Sequence, residues 1–190
     1  MTATERRERQ RAERHQLIIT TARELAEAEG WDAVTTRKLA DKVEYSQPVL
    51  YGHFANMQAL RDAVAVEGFG ELHERLRDAR LEAPAAEGIR AIAASYLAFA
   101  AAHPAAYQAM FILPTRVQFG SPETPAPLRA GFNEIVGAFG PPNDRNSALA
   151  ELFWGALHGL AVLQNEGRMP KQYQEQRVEL LVTLFANAPA

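Results

Sequence analysis

A chain of 190 residues and 21.0 kDa is long enough to bury a core, and 47% hydrophobic with 23% charged residues is the composition of a folded protein rather than a disordered one. The absence of cysteine excludes disulfide scaffolds, thiolate metal sites and cysteine nucleophiles. Net charge is −3, with nine basic and nine acidic residues over 1–60 and 11 against 14 over 61–190, so bulk electrostatics give no reason to expect nucleic acid.

Residues 1–14 carry Arg6, Arg7, Arg9, Arg11 and Arg14 against Glu5, Glu8 and Glu13. Without an apolar stripe this segment reads as a frayed, flexible arm, either a solvated helix extension or an arm that touches DNA. From His15 the period becomes helical, with Ile18, Ala22 and Leu25 at i, i+4 and i+7. Gly30 ends that helix, because glycine takes the left-handed conformation without steric cost, and Trp31 and Val34 can fold back on it. Thr35 or Thr36 is the N-cap of a short second helix with Leu39 and Val43 inward. After Glu44-Tyr45-Ser46, a third helix begins with Ser46 as N-cap and Pro48 in the first turn, with Leu50 and Phe54 inward. Asn56 caps a fourth helix, which buries Leu60 and Val64 and runs to about Arg80.

Beyond the Ala83-Pro84-Ala85 break the pattern stays helical. Helices are expected from Ile89 to His103 and from Ala105 to Ile112, then a proline-rich loop over 114–127. A further helix runs from Leu128 to Phe139. A long one starts near Ser147, repeats Leu149, Leu152, Phe153, Ala156, Leu157, Leu160 and Leu163 on its apolar face, and closes at Gly167. The last spans about Tyr173 to Asn187. No strand alternation appears. The expected fold is all-α: a flexible arm (1–14), an N-terminal three-helix helix-turn-helix domain (15–62), and a fourth helix leading into a C-terminal helical bundle for ligand binding and dimerisation (63–190).

Catalytic patterns are missing. The histidines His15, His53, His73, His103 and His158 show no metal-ligand spacing, and Glu71, His73 and Glu74 read as a solvated helix face. No enzyme activity, metal or cofactor is expected. The charged residues 1–16 and the lack of an apolar run of ~18–20 residues leave no signal peptide or membrane span to expect, and point to a cytoplasmic protein.

Two short helices joined by a tight turn form the helix-turn-helix pattern, whose second helix enters the major groove with its first residues at the base edges. Here these are Gln47, Pro48 and Val49; glutamine can read adenine, and an apolar group can meet a thymine methyl. Thr36, Arg37, Tyr51 and His53 carry groups able to bind phosphate. A helical ligand-binding or interaction protein that does not touch DNA is the alternative.

The run TTRKLADKVEYSQPVLYGHFANMQAL (Thr35 to Leu60) resembles the DNA-binding domain of the tetracycline-repressor-like (TetR) family of bacterial regulators, the likeness covering roughly residues 12–65. The resemblance implies that Thr36 and Arg37 open the motif at the DNA, and that Gln47, Pro48, Val49, Tyr51 and His53 line the recognition helix behind Ser46. Tyr51 and His53 would hold phosphates. Three positions depart from the family pattern: Glu44 where glycine is usual, Gly52 inside the recognition helix, and Met57 where a phosphate-binding lysine is usual. HPAAYQAMF (His103 to Phe111) and WGALHG (Trp154 to Gly159) resemble the regulatory domain of a subgroup with a W-x-x-x-H-G signature. An excess of aromatics there suggests a pocket for a small, largely apolar effector, with Tyr96, Phe99, Tyr107, Met110, Phe111, Phe132, Trp154 and His158 as candidate lining. The expected partners are a pseudo-palindromic DNA operator, this effector, and a second copy of the chain.

Overall fold

The computed structural model describes residues 2–188 and is all-helical over that range. In order, the helices are α1 (Ala3–Glu29), α2 (Thr36–Val43), α3 (Gln47–His53), α4 (Met57–Glu82), α5 (Gly88–Ala102), α6 (Pro104–Phe111), α7 (Ala126–Gly137), α8 (Asp144–Asn165) and α9 (Gln174–Ala186). They form two compact units. One reaches Gly68 and takes in Ala105–Val117; the other comprises Phe69–Pro104 and the chain from Gln118 onward.

In the first unit, α1 starts earlier than its apolar stripe suggests. The segment expected to fray is helical from Ala3, because Thr2 and Glu5 form a reciprocal capping box that satisfies the first free amides. Its apolar stripe then buries Ile18, Ala22 and Leu25; α1 packs on α2, and Ile18 shares a hollow with residues of α2, α3 and the start of α4. Gly30 (φ 82°) breaks the helix, and Trp31 folds back into the core. The Trp31 indole Nε1 donates to the Ala105 carbonyl at 2.8 Å, and the Glu27 carboxylate accepts from the Ala105 and Ala106 amides at 2.9 and 3.0 Å. A carboxylate on the free amides of a helix N-terminus is a favourable, charge-assisted contact. At the other end of this segment, Asp62 accepts from the Thr115 hydroxyl at 2.9 Å and Gln58 donates to the Pro114 carbonyl at 2.7 Å. Thus α6 and the residues after it are fastened to the N-terminal helices, across sequence separations that helical periodicity does not reveal.

In the second unit α5 is the central helix, with α8 and α9 packed along it and α7 on α8. Its small Ala93 and Ala100 allow close approach, while Ile92, Tyr96 and Phe99 fill the core with Phe153 and Leu157 of α8. Phe139, Phe153 and Phe185 meet edge-on or tilted, with centroids 5.0–6.1 Å apart. Two helix starts differ from the expected ones. α8 begins at Asp144 because the Asn143 side chain caps it, accepting from the Asn146 amide at 2.9 Å. α7 begins at Ala126 because Pro127, expected in the loop, sits in the first turn, where no hydrogen bond is lost.

Candidate nucleic-acid interface

Thr35, not Thr36, caps α2, accepting from the Lys38 amide at 3.2 Å, which places Thr36 and Arg37 in the first turn. Leu39, Val43, Leu50 and Phe54 are buried, so α2 and α3 lock together through one shared apolar seam. The opposite edge is left in solvent. Ser46 stands at the N-cap of α3 with no side-chain capping bond, and Gln47, Pro48, Val49 and Tyr51 are exposed, Val49 at 37% and Tyr51 at 55%. Arg37 is exposed and Thr36 half-buried. This edge combines an amide, an apolar branch, a phenol, hydroxyls and a guanidinium, the set that reads base edges and holds phosphates.

His53 is placed differently. Its ring lies 5.8 Å from that of His15 on α1, which itself stacks on Phe54 at 4.4 Å, and the His53 Nδ1 is buried with no hydrogen-bond partner. Burial, followed by the nearby His15, Arg11 and Arg14, holds the His53 imidazole below its ordinary value. Sequence reasoning found His53 but not its neighbour: His15 lies just before the apolar stripe of α1, and only the packing of α1 on α3 joins the two.

The departures from the family pattern have physical consequences. Glu44 adopts φ 57°, ψ 35°, the left-handed turn that glycine usually serves, at a cost of roughly 1–2 kcal/mol for a residue with a Cβ. Glu44→Gly should therefore raise the free energy of unfolding by about 1 kcal/mol, read by urea denaturation. It should also tighten DNA binding by removing an exposed negative charge. Glu44→Ala, which keeps the strain and removes the charge, should reproduce only the second effect. Met57 is half-buried and shares a shallow apolar hollow with Leu39, Leu50, Tyr51 and Phe54, so its side chain extends the seam. Gly52 is exposed, with open space where a Cβ would stand.

The candidate effector residues fall into two groups. In the second unit, the Trp154 indole donates to the Tyr96 hydroxyl at 3.1 Å, and Phe132 and His158 each lie 6.4 Å from Trp154, centroid to centroid. Tyr96, Phe132, Trp154 and His158 thus form one cluster. Phe99 is fully buried beside His103 at 5.3 Å and is a core residue. Tyr107, Met110 and Phe111 belong to α6 in the first unit, where Tyr107 and Met110 are buried and Tyr107 meets Phe111 at 4.8 Å. Burial holds the His158 imidazole below its ordinary value, so at pH 7 it is neutral. The stability this neutral form contributes is complete above the ordinary imidazole value of about 6.5 and is lost as pH falls through the depressed one. Melting temperature should drop over that acidic window, and His158→Gln should flatten the drop.

Glu71 of α4 pairs with Arg75 at 2.8 Å and lies 3.2 Å from the His103 Nε2, and Glu134 of α7 pairs with Arg80 at 2.7 Å and lies 3.8 Å from the His73 Nε2. Among the described residues no group of three or more potential ligands is placed to hold a metal ion. No helix of the described residues is long and apolar enough to cross a membrane.

A three-helix head with a buried seam and an uncharged-to-cationic reading edge defines a helix-turn-helix DNA-binding protein. Residues 18–64 match the bacterial regulatory proteins of the tetR family, and residues 89–185 match the tetracyclin repressor-like C-terminal domain. The chain belongs to the TetR family and is a DNA-binding transcriptional regulator. It is 27% identical over 157 residues to an HTH-type transcriptional regulator of Mycobacterium tuberculosis, covering 80% of this chain and 70% of that protein. It is 47% identical over 57 residues to the class D tetracycline repressor of Escherichia coli, covering 30% of this chain and 26% of the repressor. A solved structure of a protein of unknown function from Rhodococcus sp. RHA1 superposes with a TM-score of 0.75 at 25% identity, covering 93% and 94% of the two chains.

Proposed function

We propose that the protein is a repressor that binds a pseudo-palindromic operator as a homodimer and leaves it when a small, largely apolar effector binds. In this reading the region 15–62 reads DNA and 63–190 senses the effector and dimerises. Gln47, Pro48 and Val49 face bases, Ser46 stands at the mouth of the groove, and Thr36, Arg37, Tyr51 and His53 hold phosphates. The exposed edge of α3 carries this reading, because Gln47, Val49 and Tyr51 stand in solvent together, an amide, an apolar branch and a phenol at the start of one short helix. The bound duplex would cover them.

Dimerisation is supported by α8 and α9, which expose Leu152 at 67%, Leu180 at 60% and Leu184 at 71%. Three large leucines on two helices that both pack on α5 suit a two-fold interface, and a two-fold dimer suits two half-sites. Sedimentation at micromolar concentration should show a dimer, and Leu184→Glu a monomer. The cluster of Tyr96, Phe132, Trp154 and His158 supports an aromatic or apolar effector, since it offers rings and few charges. α4 begins in the unit that carries the reading edge and ends in the unit that carries this cluster, so a ligand that shifts α4 changes the spacing of two recognition helices. A 100-fold loss of DNA affinity requires about 2.7 kcal/mol of differential ligand binding. Selection of bound fragments from the source genome, followed by a DNA-release screen with apolar metabolites, tests the reading. Failure to retain any duplex would overturn it, and a ligand that stabilises the protein without releasing DNA would overturn the coupling.

A further inference from the structure

The face of α1 that carries its apolar stripe continues beyond the core. Ile18, Ala22 and Leu25 are buried on it, and the same 4–3–4 residue stepping continued toward the N-terminus gives Arg14, Arg11 and Arg7. All three are exposed, and none forms an ion pair or a hydrogen bond with another described residue. The acidic residues of this segment lie elsewhere. Glu13 pairs with Arg9 at 3.5 Å on the far side of the helix, Glu5 is held by the Thr2 amide, and Glu8 falls about 90° around the axis from the arginine row. A row of like charges left unpaired on one face, with carboxylates available on the others, is electrostatically unfavourable unless an anion covers it.

The row also sits beside the reading helix. His15, the residue after Arg14, stacks on Phe54 and lies 5.8 Å from His53 at the end of α3. Arg11 is one turn and Arg7 two turns farther out, about 6 and 12 Å from His15 along the axis. Arg11 and Arg14 are near enough to His53 for their charges to disfavour its protonation. The capping box at Thr2 and Glu5 keeps these turns helical, so the three arginines start from one row on the same face.

We propose that Arg7, Arg11 and Arg14 form a second phosphate-binding surface, which carries each protomer's footprint beyond the half-site read by α3 and onto the sugar–phosphate backbone that flanks it. This rests on the DNA-binding reading above and adds a contact outside the helix-turn-helix. Steps of about 4.5 and 6 Å between successive arginines along the helix lie within the reach of these long side chains to neighbouring phosphates, and arginine is the side chain best suited to a bidentate hold on them. The contact has no base preference, so it raises affinity and salt dependence without altering the operator sequence.

The test compares the full chain with Arg7→Gln/Arg11→Gln/Arg14→Gln on a selected operator, once with long flanks and once trimmed to the two half-sites. On the long duplex the variant should lose affinity, and its log–log salt slope should fall by about 2.7 per protomer, which makes its loss between 50 and 200 mM salt about 40-fold smaller than that of the wild type for each protomer. On the trimmed duplex the two proteins should bind alike. The control Arg6→Gln/Arg9→Gln, on the other faces, should match the wild type on both. An unchanged slope on the long duplex, an equal loss on the trimmed one, or an equal loss in the control would overturn the proposal. A wild-type chain that binds no duplex would overturn the DNA-binding reading itself, which keeps the two failures distinguishable.

Discussion

Replacing Trp31 with alanine should lower the free energy of unfolding by about 3–5 kcal/mol, the largest stability loss expected from a single substitution in the N-terminal unit. Trp31 fills the space behind the left-handed Gly30, and its Nε1 holds the Ala105 carbonyl at the start of α6. Truncation removes a large buried surface and a hydrogen bond together. Trp31→Phe separates the two contributions: it keeps most of the volume and leaves the carbonyl unpaired, and should cost about 1–3 kcal/mol. Glu27→Ala should fall in the same range, because it strips the Ala105 and Ala106 amides of their shared carboxylate. Urea denaturation followed by circular dichroism reads all three. A Trp31→Ala loss below 1 kcal/mol would mean that α6 is not held through this joint.

Gln47→Ala should reduce affinity for the preferred operator by roughly 1–3 kcal/mol while leaving affinity for random duplex unchanged. Gln47 is the first residue of α3, exposed and unhindered, with Pro48 fixing the backbone of the turn that presents it. Arg37→Ala should behave in the opposite way, weakening binding to every sequence and flattening the salt slope by about one unit, and Tyr51→Phe should weaken all sequences without that change in slope. Competition titrations with operator and random duplex at several salt concentrations distinguish the two behaviours. Equal losses for Gln47→Ala on both duplexes would show that it contacts backbone and reads no base.

The helices that frame the candidate edge are legible in the sequence because their determinants are local. Thr35, Ser46, Pro48 and Asn56 punctuate the helices within a few residues of where they act, and Leu39, Val43, Leu50 and Phe54 mark the inward face by spacing alone. Apolar spacing puts the start of α8 too late, near Ser147, because the Asn143 cap precedes the first apolar residue by several positions. Spacing alone makes the arm at 1–14 frayed, because the pair that stabilises its helix, Thr2 with Glu5, is polar and leaves no apolar period. What spacing could not supply was the company each residue keeps. The partnership of Glu27 and Trp31 with residues 105 and 106 spans more than 70 positions, and the split of the aromatic residues between two units follows from it.

That long-range joint sets a rule for anyone wishing to transplant the reading head onto another regulator. A graft that ends within α4 would carry Trp31 without its carbonyl, Glu27 without its amides and Gly68 without the Met110 thioether, which lies 2.7 Å from where a Cβ at Gly68 would stand. The exposed wound would be apolar and prone to aggregation. The transferable module is therefore discontinuous, residues up to 68 together with 105–117, and a hybrid built on the continuous stretch alone should be insoluble where the two-piece hybrid is not.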